Sequence, residues 1–181
     1  MTRYETSRLI LTRLFSEHED LLFNLHNDPL VQELLYDSKP KSIEDVREMV
    51  DTSLTHWNEH GFGVWMVYKK TDGCPLFIGR CGLRVVQGTD NIELVYVFSQ
   101  EGVGQGMGPE AARFGITHAL AHSTKKKIVA FIAHHNERSK RAAKKIGLRY
   151  VDDRYRKNEL LQYYEMSREE YFSRPHPKYT T

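Results

Sequence analysis

Four glycines alternate along Ser99-Gln-Glu-Gly-Val-Gly-Gln-Gly-Met-Gly-Pro109, at Gly102, Gly104, Gly106 and Gly108. Before them runs Asn91-Ile-Glu-Leu-Val-Tyr-Val-Phe98, rich in β-branched and aromatic residues, which reads as a mostly buried strand. After them Ala112, Ile116, Ala119 and Leu120 recur at helical spacing. Strand, glycine loop and helix together offer unpaired helix-start N–H groups to an anion. Glycine lets the backbone turn sharply and a phosphate approach without meeting a Cβ. Pro109 suits a first helical turn, where its missing N–H costs nothing. Two familiar phosphate loops fail on spelling. The P-loop needs Gly-Lys-Ser/Thr before the helix, and this loop has no lysine. The dinucleotide fingerprint needs glycine or alanine where Pro109 stands. Locally, a plain glycine turn remains open beside the anion cradle.

Two further places carry chemistry. Glu93 is the only acid in its apolar strand, where burial would raise its pKa toward that of a general base. The competing reading has it facing solvent or paired with an arginine such as Arg80 or Arg84. Asn136-Glu-Arg-Ser139 follows a short apolar run; read locally, Asn136 and Ser139 cap a helix that Gly147 ends. His134 and His135 are adjacent in an extended stretch and point to opposite faces, so they make a poor metal pair. Lys125-Lys-Lys127 reads as a solvated turn rather than an anion patch. Lys140, Arg141 and Lys144 either reach an anion or form the wet face of their helix. Asp152, Asp153, Arg154 and Arg156 read as a charged hairpin, and Trp57 and Trp65 as core or groove wall.

Gly104-Gln-Gly-Met-Gly-Pro-Glu-Ala111 resembles the acetyl-CoA pyrophosphate loop of the GNAT N-acetyltransferases, in the variant of the RimJ/RimL-like branch. Ile92-Glu-Leu-Val-Tyr96 is similar to the Glu-Ile-Gly-Tyr of that branch. Asn136 to Leu148 resembles its Asn-x-x-Ser…Gly-Phe element, with Leu148 for the usual Phe. Val103 stands where the family puts Gln, Arg or Trp, and Ala143 fills the slot of the tyrosine acid that many members use. The likeness covers Thr6 to Phe172.

The resemblance implies a mixed α/β GNAT fold. Its central, twisted, mixed sheet would have about six to seven strands flanked by helices on both faces. One domain would occupy residues 1–172, with a tail over 173–181. The implied activity is transfer of acetyl from acetyl-CoA to a primary amine, a protein N-terminus or a small molecule, by direct attack in a ternary complex without a metal. Glu93 and Ser139 would be catalytic, with Ser139 near the thioester sulfur. Val95, Tyr96 and Val97 would offer a strand edge to the pantetheine amides. Val103, Gly104, Gln105, Gly106, Met107 and Gly108 would hold the pyrophosphate, and Asn136 the pantetheine arm. A non-catalytic acyl-CoA-binding or ribosome-associated module on the same fold is the contrasting reading, and a nucleotide-binding α/β domain a third.

Composition sets wider bounds. The 181 residues suffice for a substantial core. A net charge of +2 from 26 basic and 24 acidic residues gives no pull toward DNA or membrane. No apolar run reaches transmembrane length, and the N-terminus lacks a signal-peptide core. Cys74 and Cys81 are too few for a disulfide framework, so a cytoplasmic setting is expected. Homodimer formation stays open.

The elements that must position these residues follow the same order. Arg8 to Leu14 reads as a first strand. A capping box of Ser16 and Glu19 opens a helix through Leu21, Leu22 and Leu25, closed by Asp28-Pro29. Val31 to Pro40 is a short helical turn and loop. Ser42 and Asp45 cap a longer helix that ends at Gly61. Phe62 to Lys70, Leu76 to Val86 and the Glu93 strand form an antiparallel meander. Ile128 to Ala133 reads as a parallel strand covered on both faces. Leu148 to Tyr155 and Leu160 to Ser167 close the chain as a hairpin around Lys157-Asn158. The loops 37–42 and 152–159 would shape the acceptor groove.

Overall fold

The computed structural model describes residues 3–35, 39–156 and 158–175. The elements are β1 (Arg3–Glu5), β2 (Leu9–Arg13), α1 (Glu19–Asn27), α2 (Pro29–Leu34), α3 (Ile43–His60), β3 (Val64–Lys69), β4 (Leu76–Val85) and β5 (Asn91–Phe98). They continue as α4 (Met107–Ala121), β6 (Lys127–Ile132), α5 (Glu137–Ile146), β7 (Arg149–Arg156), β8 (Glu159–Ser167) and α6 (Arg168–Phe172). All strands join one sheet of eight, in the order β1-β2-β3-β4-β5-β6-β8-β7. This is one strand more than the six to seven expected. The extra strand is β1, whose three residues are too short to show an alternation. Among the described residues no helix is long and apolar enough to cross a membrane.

Alternation along the strands divides the apolar residues into two cores. Trp65, Cys81, Leu83, Ile92, Leu94 and Ile128 pack with Ala111, Ile116 and Ala119 of α4 and Ala143 and Ile146 of α5. On the other face Met66 and Val97 meet Leu22 and Leu25 of α1, Val31 of α2 and Val46 and Val50 of α3. Each fully buried Leu or Val contributes about 1.5–3 kcal/mol, and both cores hold the same central strands between them. Trp57 and Trp65 meet edge to face at 4.7 Å, so both belong to the interior.

Local signals explain most boundaries. Ser42 Oγ accepts from Asp45 N at 3.1 Å and Asp45 Oδ2 accepts from Ser42 N at 2.8 Å, the reciprocal box that starts α3. Asp28 closes α1 and caps α2, accepting from Leu30 N at 2.9 Å. The start of α1 differs from expectation. Ser16–His18 forms a single 3₁₀ turn, and α1 begins at Glu19. His18 Nδ1 accepts from Phe15 N at 3.0 Å, doing the work assigned to Ser16 and Glu19. The closing hairpin has the expected strands, and β8 is the one that pairs with β6. Lys157 and most of the tail over 173–181 lie outside the described residues, as do Asp37 and Ser38 of the expected groove loop.

The relation that builds the site lies between β5 and β6, the one parallel pair among the described residues. They pair only over Asn91–Lys127, Ile92–Ile128 and Glu93–Val129. Beyond that point β5 stays with β4 as far as Phe98, while β6 follows β8 as far as Ile132. The two strands part, leaving a wedge with an unpaired edge on each side.

Candidate active site

A cleft of about 580 Å³ fills the wedge and runs to the start of α4. Its sheet side is Tyr96, Val97 and Phe98, and its loop side Val103, Gly104, Gly106 and Gly108. Asn136 and Ser139 of the first α5 turn line the opposite wall, and Val31, Leu34 and Leu35 close one end. Residues expected from two distant stretches of sequence therefore meet in one cavity. Val95, Gln105 and Met107 are not on its wall. Val95 packs on the core beside α1 and α3, and Met107 is buried under α4. Gln105 turns outward, its carbonyl accepting from Arg8 Nη1 at 2.7 Å.

The glycine loop needs its glycines. Gly104 and Gly106 have φ of 83° and 77°, in the left-handed region that side chains disfavour. Gly106 is the N-cap of α4 and supplies no capping side chain. The Met107 and Gly108 N–H groups thus lack the partner that a cap would offer, as an anion site requires. Cations surround the loop. A Cβ on Gly106 would lie 3.4 Å from Lys145 Nζ and 3.7 Å from Arg8 Nη2. Arg138, Arg141 and Lys145 all line the cleft. Lys140 and Lys144 do not; Lys140 pairs with Glu137 at 2.7 Å. The cationic stripe is therefore 138, 141 and 145, on the same helical face as Ala142. Counting i, i+3 and i+7 from Arg138 would have found it.

Glu110, in the first turn of α4, joins the loop to the first strands. It accepts from Ser7 Oγ at 3.0 Å and Arg8 Nε at 2.7 Å, and pairs with Arg8 Nη2 at 2.6 Å. Burial pushes its pKa up, but the Thr6 and Arg8 hydrogen bonds outweigh this and hold it below the usual range. With its charge taken by Arg8, this carboxylate does not oppose an anion at the helix start.

Asn136 bridges two elements. Its Oδ1 accepts from Ser139 N at 3.0 Å, capping α5, and its Nδ2 donates to Leu34 O at 3.1 Å. The capping reading is therefore correct for its oxygen, and its nitrogen ties α2 to the cleft. The Tyr96 hydroxyl donates to Ser139 O at 3.3 Å, fixing the same turn from the sheet side. Burial raises the Tyr96 pKa to about 12, so this hydroxyl keeps its proton.

Glu93 departs from the expectation placed on it. It is 4% exposed, and its carboxylate is held by two guanidiniums. Arg84 Nε donates to Oε2 at 2.7 Å, Arg156 Nη2 to the same oxygen at 2.8 Å, and Arg156 Nη1 to Oε1. Burial alone would raise its pKa, as the sequence suggested. The Arg156 and Arg84 hydrogen bonds and charges exceed that effect and bring it below the usual carboxylate value. Of the two readings, the pairing with Arg84 is present, and Arg156 adds a partner that the hairpin reading missed. The two histidines have separate partners: His134 faces Asp153 at 3.5 Å, and His135 Nε2 lies 3.2 Å from Glu33 O.

Residues 8–149 match the family model described as acetyltransferase (GNAT) domain. The chain belongs to the GNAT acetyltransferases. Solved structures agree in fold. An acetyltransferase from Agrobacterium tumefaciens str. C58 superposes with a TM-score of 0.77 at 19% identity, over 92% of this chain and 94% of that one. The spermidine N-acetyltransferase from Vibrio cholerae, in complex with CoA and spermine, gives 0.73 at 14%, over 92% and 99%. RimL, the ribosomal L7/L12 alpha-N-protein acetyltransferase in complex with CoA, gives 0.72 at 15%, over 90% and 95%.

Proposed function

We propose that this protein transfers acetyl from acetyl-CoA to a primary amine, as a cytoplasmic N-acetyltransferase of the RimJ/RimL-like branch. The observation that carries the reading is the single cleft joining the β5–β6 wedge to the bare N-terminus of α4. Two of the structural relatives are named N-acetyltransferases and hold CoA. The fit to an acyl-CoA is chemical as well as spatial. A diphosphate suits Gly104 to Gly108 with Arg138, Arg141 and Lys145 around it. An amide-bearing arm suits the unpaired edge at Val95 to Val97, with Asn136 and Val103 as walls. Acetyl-CoA supplies the activated acyl group and a thiol leaving group.

Ser139 lines the cleft wall, which supports giving its hydroxyl the role of hydrogen-bonding that leaving sulfur. A backbone N–H of the β5 edge polarises the carbonyl being attacked. The attacking amine must be neutral, and a lysine-type amine is almost wholly protonated at neutral pH. Glu93, already bound to Arg84 and Arg156, is an anchor for those guanidiniums and a poor proton acceptor. The amine proton therefore leaves to water. The test is thiol release from acetyl-CoA against a panel of amines and N-terminal peptides, with the acetylated product identified. CoA binding without turnover on any amine would favour a non-catalytic module instead.

A further inference from the structure

Arg80 is a guanidinium without an anionic partner among the described residues. It sits on β4 opposite Val97, on the same face of the sheet as Arg84, which stands opposite Glu93. Its Nε donates to His26 Nε2 at 3.0 Å, and no carboxylate among the described residues pairs with it. Because His26 accepts at Nε2, the neutral ring carries its proton on Nδ1. That Nδ1 is buried without a hydrogen-bond partner among the described residues, in a side chain only 2% exposed. Donors therefore accumulate here with nothing among the described residues to receive them. Burial, with Arg84 adding to it, lowers the Arg80 pKa to about 10.

The neighbouring charges do not correct the imbalance. Glu93 is the carboxylate that Arg84 and Arg156 share, leaving three guanidiniums against one acid. Farther along the same face, Asp152 pairs with Arg154 and Glu165 with Lys127, while Asp153, turned to the other face, meets His134. A cation taken out of water and left uncompensated is costly, and an incoming anion removes that cost. Arg80 remains partly accessible, as does Arg84, whose side chain is 50% exposed. Val97, its partner across the ladder, lines the donor cleft, and adjacent strands lie only about 4.8 Å apart.

Resting on the transferase reading above, we infer that the acetyl acceptor carries its own carboxylate, which docks on Arg80 and Arg84 while its amine meets the β5 edge. Polyamines are the wrong charge for this position. Free amino acids and peptides with an acidic residue beside the N-terminal amine share the required chemistry.

The experiment compares kcat/KM for amino acids against their amides, and for peptides beginning with an acidic second residue against their amidated counterparts, with spermidine as the cationic control. At least one carboxylate-bearing class should exceed its amide by about tenfold or more, as expected when a buried site must pair a charge. Which class shows the preference identifies the source of the carboxylate. Arg80→Gln should collapse that ratio through KM while leaving CoA affinity unchanged. The same variant should raise Tm without ligand, which separates lost recognition from lost folding. A turnover-free arm uses calorimetry of an N-acetylated amino acid and its amide in the presence of CoA; wild type should prefer the acid and Arg80→Gln should not. Equal use of acids and amides, preference for spermidine, or a ratio unchanged in Arg80→Gln would overturn the inference while leaving the transferase reading intact. No transfer to any amine would remove both.

Discussion

Arg156, on the outermost strand β7, reaches over β8 and β6 to hold Glu93 of the central strand β5, with Nη2 at 2.8 Å. Its guanidinium also lies over the Phe131 ring, 4.5 Å from the centroid. The contact ties the closing hairpin to the strand that borders the donor cleft. It also occupies the carboxylate that sequence alone would offer as a base.

Glu93→Gln therefore tests anchor against base. An amide cannot neutralise two guanidiniums, so unfolding free energy should drop by about 1–3 kcal/mol, moderated by the partial exposure of both arginines. The shape of kcat/KM against pH should be unchanged. Loss of the acidic limb alone, with stability intact, would restore the base assignment.

Gly106→Val should weaken CoA and acetyl-CoA alike. The position has a φ of 77°, and the added branch would enter the space beside Lys145. Left-handed strain for a branched residue is about 1–3 kcal/mol, so calorimetry should show a loss of about tenfold or more. Full affinity in the folded variant would detach the loop from the diphosphate.

Ser139→Ala should lower kcat more than CoA affinity. Its backbone N–H still donates to Asn136, so the α5 cap survives. One neutral hydrogen bond is worth about 0.5–1.5 kcal/mol, which sets a drop of up to about tenfold in rate. Equal losses in rate and affinity would mean that the hydroxyl only shapes the cleft.

Acid should destabilise the fold through buried neutral histidines. Burial, reinforced by Arg80, lowers the His26 pKa to about 3, and burial with the nearby His122 lowers that of His118 to about 4. The unfolded chain then binds more protons than the folded one below pH 6.5, so stability is lost as pH falls from there toward 4. The slope is at most about 1.4 kcal/mol per pH unit for each ring, and Tm should fall by on the order of 10 °C between pH 6.5 and 4.5. His118 lies edge-on to Trp65 at 4.9 Å and its buried Nδ1 has no hydrogen-bond partner among the described residues, so His118→Phe should keep Tm at pH 7 and flatten the acid slope. An unchanged slope would exclude His118 as a source.

Much of this arrangement was legible before the fold. The glycine loop, the Ser42–Asp45 box, the left-handed Gly61 and Gly147, and the Asn136 cap are local signals, each fixed by backbone chemistry within a few residues. What stayed hidden is long-range. Glu110 meets Ser7 across 103 residues, and Arg156 meets Glu93 across 63; no periodicity reports such pairs. The Glu93 pKa reversed direction for the same reason, since burial can be read from an apolar strand but an arginine from a distant hairpin cannot. The missed α6 is different, because Ser167 and Glu170 spell a capping box that was there to be read.

In the proposed reaction, acetyl passes directly from CoA in the wedge to an amine entering beside β5. Initial rates with acetyl-CoA and the best acceptor both varied, together with quantitation of free thiol and acetylated amine, test it most directly. Direct transfer gives intersecting lines and one acetylated amine for every thiol released. Parallel lines, or thiol release without an acetylated amine, would contradict it.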